Sequence, residues 1–364
     1  MSEQTPPGLA TAGSIPPDPD DPVRMQRTGP TATASHGPSP SGAWRRLVAG
    51  GAGRNLGLVV ALLLICAVGV ATAGERFASV DNLMTILRLA AIYGVLAIGM
   101  TFVITGGGID LSVGSVLGLS TVWASTLATQ TMARETHWAV IVFTALAVGV
   151  VAGLVNGVLI AYGKVVAFIA TLAMLVAARG LAEVIANRRT QIVDVPAFLD
   201  VFRADVLGVS VLVWIFVVVA VAAWVVFNRT TFGRRTLAVG GNPEAARLAG
   251  IDVRRHTMWL YALSGLTAGI AGVMMLARTT AGSSTNGQLY ELEAIAIVVI
   301  GGTLLAGGRG TIVGTVIGAV IFATLANVFT QNNLSISAQS VAKGAIIVVA
   351  VLLQQRFAAR HRST

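Results

Sequence analysis

Only a few side chains in this sequence pair a charged or polar group with a spacing that could serve chemistry. Asp110 closes the run Gly106-Gly107-Gly108-Ile109-Asp110. A carboxylate in such a glycine break could serve a cation or proton pathway. It could equally, with Ser112, cap the helix that follows, whose first N–H groups need acceptors. Arg179 and Glu183 stand four apart in an apolar stretch, the spacing of an ion pair on one helix face. An arginine left alone at mid-bilayer costs about 2.5–3.5 kcal/mol on insertion scales, so a structural pair toward the outer end of that stretch is the expectation. Arg88 and Lys343, near the ends of other apolar runs, read as snorkelling or structural cations. Thr101, Asn156, Thr171 and Asn327 are uncharged polar groups inside apolar runs. They, with Asp110, are candidates to line a translocation path, and each could instead bond a neighbouring helix.

Enzyme chemistry is not visible. Gly163-Lys164 is followed by Val165, where a nucleotide-binding loop needs Ser or Thr, and no glycine stands five residues before Gly163. Four scattered histidines give neither a catalytic cluster nor metal-ligand spacing. Cys66 is the one cysteine, so no disulfide within the chain is possible. No cofactor and no metal are expected.

The densest charge lies in residues 228–256. Six arginines (Arg229, Arg234, Arg235, Arg247, Arg254, Arg255) face only Glu244 and Asp252. A basic segment this long cannot sit in hydrocarbon and belongs on the cytoplasmic side, where positive loops are retained. It also spells a short helix over Asn242–Gly250: Asn242, Pro243, Glu244, Ala245, Ala246, Arg247, Leu248, Ala249, Gly250. Asn242 suits the N-cap and Pro243 the first helical position. Glu244 sits where the helix dipole favours negative charge, and Gly250 supplies a left-handed stop. Such a helix on a cytoplasmic loop reads as a docking site for another protein.

The elements that must position these residues are membrane spans. The chain is 55% hydrophobic and 11% charged, with mean hydropathy +0.78, whereas a soluble domain carries about twice that charge. The fold expected is all-α: a polytopic bundle of about ten transmembrane helices over 55–74, 82–104, 112–130, 137–162, 166–186, 207–227, 257–278, 290–307, 309–331 and 339–356. These runs are too long for barrel strands. With the N-terminus inside, sixteen basic residues fall on the cytoplasmic side and six outside, a clear inside bias that makes both termini cytoplasmic. The net charge of +9 is therefore a topology signal, and nucleic-acid binding is not expected. The domain organisation is a disordered cytoplasmic tail (1–54, of which 1–43 is rich in Pro, Thr, Ser and Gly), a transmembrane domain (55–356) and a short cytoplasmic tail (357–364). Ala71-Thr72-Ala73 resembles a signal cleavage site, but the polar region before it is too long and the apolar run exceeds a signal core.

The sequence also repeats itself at an offset of 200. GGIDLSVGSVLG (107–118) matches GGRGTIVGTVIG (307–318), with Gly107, Gly108, Val113, Gly114, Val116 and Gly118 recurring. Each copy follows an outside-to-inside span, so a parallel internal repeat is expected. Glycines four apart recur at Gly114/Gly118, Gly310/Gly314/Gly318, Gly149/Gly153/Gly157 and Gly265/Gly269. They line small residues on one face and let helix backbones approach closely.

Four blocks carry a family resemblance: Gly99–Ser120, Asn156–Ala182, Thr230–Gly272 and Glu291–Ala319. Together they resemble the permease subunits of bacterial sugar ABC importers, the ribose, xylose and arabinose group, over residues 55–356. The resemblance implies ten helices in a pair of permeases (a homodimer), bound to two ABC ATPase subunits and an extracytoplasmic solute-binding protein in the bacterial inner membrane. It implies that Asn242–Gly250 is the coupling helix, with Glu244-Ala245-Ala246 and Gly250 at the spacing of the importer EAA pattern. ATP would be hydrolysed on the partner chain, consistent with the missing nucleotide loop. The run of three glycines at 106–108, where two are expected, and the long tail depart from the family. An ion-coupled secondary transporter using Asp110 and Glu183, or a related importer of amino acids or another small polar solute, are the competing readings.

Overall fold

A computed structural model describes residues 51–360, so the tail reading for residues 1–50 and 361–364 lies outside the described residues. The described residues are helical almost throughout. Helix α1 covers Gly51–Ala73, α2 Glu75–Ala78, α3 Val80–Thr105, α4 Val113–Ala124, α5 Leu127–Glu135, α6 Ala139–Ala161 and α7 Ala167–Ala186. After an irregular segment come α8 Pro196–Arg203, α9 Val211–Arg229, α10 Thr231–Gly241, α11 Pro243–Leu248, α12 Val253–Thr279, α13 Tyr290–Ile300, α14 Ile312–Gln331 and α15 Ile336–Arg360. Four two-residue strands form two small antiparallel pairs: β1 (Gln191–Ile192) with β4 (Ala281–Gly282), and β2 (Asp205–Val206) with β3 (Val209–Ser210).

Among the described residues, seven helices are long and apolar enough to cross a membrane: α1 (from Asn55), α3, α6, α7, α9, α12 and α14. The 26 residues of α3 rise about 39 Å at 1.5 Å per residue. Two expected spans are interrupted. The stretch 112–130 is not one helix: α4 stops at Ser125, and Thr126 starts α5 by accepting a hydrogen bond from Thr129 N at 3.3 Å. The stretch 290–307 holds only the 11 residues of α13, which ends at Gly301, with Gly302 in the left-handed region at φ 89°.

Hydropathy alone does not decide which helices lie inside, because lipid is as apolar as leucine. Packing does. In α3 and α12 alike, 83% of the apolar window is buried, against 11% in α1. Helix α12 packs most extensively on α6, and α3 on α12 and α14. The α6–α12 seam is made by the glycine stripes read from the sequence. A Cβ on Gly265 would lie 2.9 Å from Gly153 Cα, one on Gly269 2.7 Å from Ala145 O, and one on Gly157 2.7 Å from Met258 O. The two helices therefore touch backbone to backbone. On α3, Phe102 packs edge-on against Phe227 of α9 at 5.3 Å, and Tyr93 against Tyr290 of α13 at 4.8 Å.

Candidate functional site

Between α9 and α12 the basic segment 228–256 holds two short helices, not one. Thr230 starts α10, its hydroxyl accepting from Phe232 N at 3.2 Å. The helix then runs to Gly241, and its buried face is Gly233, Thr236 and Val239. The Thr236 hydroxyl bonds His256 Nε2 at 2.9 Å, and Phe232 packs on the same ring at 4.6 Å. These contacts fasten α10 to the start of α12. The sequence reading missed α10, although the Thr at 230 before an apolar-basic alternation is an ordinary start signal.

Helix α11 forms as its residues dictate. Asn242 Oδ1 accepts from Ala245 N at 3.0 Å, and Pro243 occupies the first turn, where its missing N–H costs nothing. At the other end Ala249 is the C-cap and Gly250 takes φ 81°. Gly250 N donates to Arg247 O and Ile251 N to Ala246 O, each at 3.0 Å. That pair of bonds is the Schellman closure that a left-handed glycine permits. Glu244 and Arg247 form an ion pair at 2.5 Å, worth little energetically because both are exposed. Only Ala246 is buried. Leu248 is 87% exposed, so this helix presents a large apolar side chain flanked by Glu244 and Arg247.

The end of α10 meets both glycine breaks of the repeat. Gly107 and Gly307 both take left-handed φ, 88° and 84°, a conformation that a Cβ would strain. Gly308 N donates to Thr105 O at 2.9 Å, joining the two copies. Gly240 lies between them: a Cβ there would fall 2.7 Å from Gly308 N and strike the Thr105 carbonyl. The segment leading into α11 thus touches the core of the bundle at the two places where its helices are broken.

The five polar residues singled out as path candidates are all buried, in three separate groups. Asp110 Oδ1 accepts from Ser112 N at 3.0 Å and Ser112 Oγ at 2.6 Å, and Oδ2 accepts from Ser264 Oγ at 2.8 Å. Asn156 Nδ2 donates to Ser112 Oγ at 2.9 Å, while Thr171 and Tyr261 reach the Ile109 carbonyl at 3.4 and 3.3 Å. Asp110, Asn156 and Thr171 therefore share one network that ties α4, α6, α7 and α12 around the first break. Thr101 instead bonds Thr315 at 2.7 Å, joining α3 to α14. Asn327 exchanges bonds with Asn82 at 2.7 and 3.1 Å, and Gln331 adds a third to Asn82 at 2.9 Å.

The charged residues differ more from expectation. Arg179 and Glu183 do not pair. Arg179 Nη1 donates to the carbonyls of Ser284 and, at 2.9 Å, Asn286, and Glu183 lies 3.7 Å from Arg188 instead. Two backbone carbonyls on a loop packed alongside outcompete a flexible carboxylate one turn away. Arg88 meets Asp205 at 3.3 Å. Lys343 pairs with Glu293 at 2.5 Å and lies over the Phe322 ring at 5.5 Å, a half-buried pair that fits the structural one of the two readings. Glu291 and Glu293 were overlooked in the sequence. Two acidic residues opening an apolar run, both buried, were the available signal.

A bundle of apolar helices, broken at matched glycines and carrying a capped, exposed helix on a basic loop, defines a polytopic membrane transport component. The chain matches the family described as branched-chain amino acid transport system / permease component over residues 82–351. It is 40% identical over 304 residues to the ribose import permease protein RbsC of Escherichia coli (strain K12), covering 82% of this chain and 92% of that one. The Bacillus subtilis (strain 168) ribose import permease protein RbsC is 40% identical over 81% of this chain and 91% of its own. The L-arabinose ABC transporter permease protein AraH of Azospirillum brasilense is 34% identical over 92% and 96%. No solved structure gives a significant match. The chain belongs to this family of ABC importer permeases, and it is a transport component of the inner membrane, not an enzyme.

Proposed function

We propose that the chain is the permease subunit of a monosaccharide ABC importer, driven through α11 by a separate ATPase and fed by an extracytoplasmic binding protein. The observation that carries the driven part is α11 itself: a six-residue helix closed at both ends, with every residue but Ala246 turned to the surface. A secondary transporter has no use for such an element. The sugar class follows from the ribose and arabinose permeases among the relatives. ATP-driven closure of the ATPase pair would draw two α11 helices together. Gly240 would pass that movement to both glycine breaks, switching a central path between outward and inward exposure. Such coupling requires contacts that differ between the two states.

In this reading α4 and α13 are broken spans that bring the count to ten with α15, α3–α4 and α13–α14 are parallel repeat copies, and the permease works as a homodimer. Both termini and the 228–256 loop are cytoplasmic. The left-handed Gly107 and Gly307 at matching positions support the repeat, and the basic loop supports the orientation. The ion-coupled alternative is weakened by Asp110, whose two oxygens are both occupied by internal donors.

The test is uptake by proteoliposomes holding the permease, its ATPase and its binding protein, offered D-ribose, L-arabinose and D-xylose. ATP-dependent uptake of at least one, indifferent to a protonophore, is expected. Uptake that persists without the ATPase and collapses with the protonophore would instead establish the secondary transporter.

A further inference from the structure

We propose that the open cleft lined by α4, α7 and the 283–291 segment is a subsite for one neutral monosaccharide, built to hold vicinal hydroxyls during transfer. The proposal rests on the reading of the chain as a monosaccharide permease. The cleft measures about 300 Å³, at the small end of the range for ligand pockets, about 300–1,000 Å³. Its lining includes Ser115, Arg179, Glu183, Thr285, Gln288 and Glu291.

Two of these side chains carry a buried atom without a hydrogen-bond partner. Ser115 Oγ and Glu291 Oε2 make no hydrogen bond, although the residues are only 1% and 8% exposed. Leaving a buried acceptor empty is costly, more so when it is charged. A ligand hydroxyl admitted to either atom would satisfy it. The glycines of α4 let these groups pack close: a Cβ on Gly118 would lie 2.7 Å from Asn286 O and 2.9 Å from Arg179 Nη1, and one on Gly114 would strike the Glu291 carboxylate and the Gly287 carbonyl. In the second copy a Cβ on Gly318 would likewise meet backbone, 2.6 Å from Ile297 O.

The chemistry favours a polyol over an ion. Arg179 uses Nη1 on two carbonyls and keeps its other N–H groups unbonded by any described residue. The cleft thus offers a guanidinium fork, an amide and a hydroxyl beside carboxylate acceptors. A sugar hydroxyl both donates and accepts, and planar guanidinium and carboxylate groups can each span two adjacent hydroxyls. Two glutamates count against an anion, and the arginine counts against a bare cation.

The full transporter in proteoliposomes provides the test, using whichever of D-ribose, L-arabinose and D-xylose the wild type takes up. Thr285→Cys in a Cys66→Ala background places a thiol at the exposed rim for a small methanethiosulfonate reagent. That sugar is expected to slow labelling at least about threefold, and L-glucose to leave it unchanged. Ser115→Ala and Glu291→Gln are expected to lower uptake about tenfold or more, as loss of a hydrogen bond to a charged or buried group does, with assembly and basal ATP hydrolysis retained. Labelling indifferent to the transported sugar overturns the subsite, as does wild-type uptake by both variants, in either case with the sugar-import reading intact. If the wild type takes up none of the three sugars, the import reading itself fails, and the subsite with it.

Discussion

Gly265→Val is expected to remove the folded permease from the membrane. Gly265 stands at the centre of the α6–α12 seam, where an added Cβ would meet Gly153 Cα at 2.9 Å and Gly149 C at 3.0 Å, with the Gly149 carbonyl closer still. Those neighbours are backbone on the facing helix and cannot rotate away. Accommodation requires the two helices to separate along the seam, which also forfeits the close contacts at Gly157 and Gly269. Overpacking of an ordinary core costs about 1–3 kcal/mol, and a rigid seam on one of the two most buried spans belongs at or above the top of that range. In a membrane there is no compensating gain, because helix association rests on this packing. Membrane abundance and the melting midpoint of the detergent-purified protein give the readout. Gly180→Val is the control: nothing lies within 4 Å of its added Cβ, so it should behave as wild type. A stable Gly265→Val protein would contradict the seam.

Gly240→Val is expected to abolish transport while leaving the permease assembled. Its Cβ would press on Thr105, next to the first glycine break, and on Gly308, within the second, and Gly240 itself stands two residues from the N-cap of α11. The substitution should displace α11 relative to the core. A coupling free energy of about 3 kcal/mol corresponds to about a hundredfold, so uptake should fall by about that factor while basal ATP hydrolysis persists. The adjacent Gly241→Ala meets only Gly308 Cα at 3.9 Å and should transport normally. Equal uptake by the two variants, measured in the same proteoliposomes, would remove Gly240 from the transmission route.

Much of this architecture was legible because the residues involved act locally. Asn242, Pro243 and Gly250 specify both ends of α11 by cap and turn chemistry confined to nine residues. The glycine stripes announced close helix contact for a similar reason, since spacing of four defines a face. What they contact was not legible. That Gly114 and Gly118 face Glu291 and Arg179, while Gly314 and Gly318 face the end of α13, depends on tertiary register. The Arg179–Glu183 reading failed on the same ground: its actual partners are carbonyls 105 and 107 residues away. Continuous hydropathy concealed the break at Ser125, because a capped Ser-Thr step costs a hydropathy average almost nothing. It concealed Glu291 and Glu293 as well, which the apolar residues after them outweigh.

Everything in the account depends on α11 being the place where a foreign motor grips this bundle. The direct measurement is site-specific cross-linking of Leu248→Cys, in a Cys66→Ala background, to the ATPase in the reconstituted complex. The account predicts a permease–ATPase cross-link whose yield changes when ATP closes the ATPase pair, and a thiol labelled only from the cytoplasmic face. A thiol at 248 that reacts from the external face, or that never joins the ATPase in a complex active in transport, would contradict it.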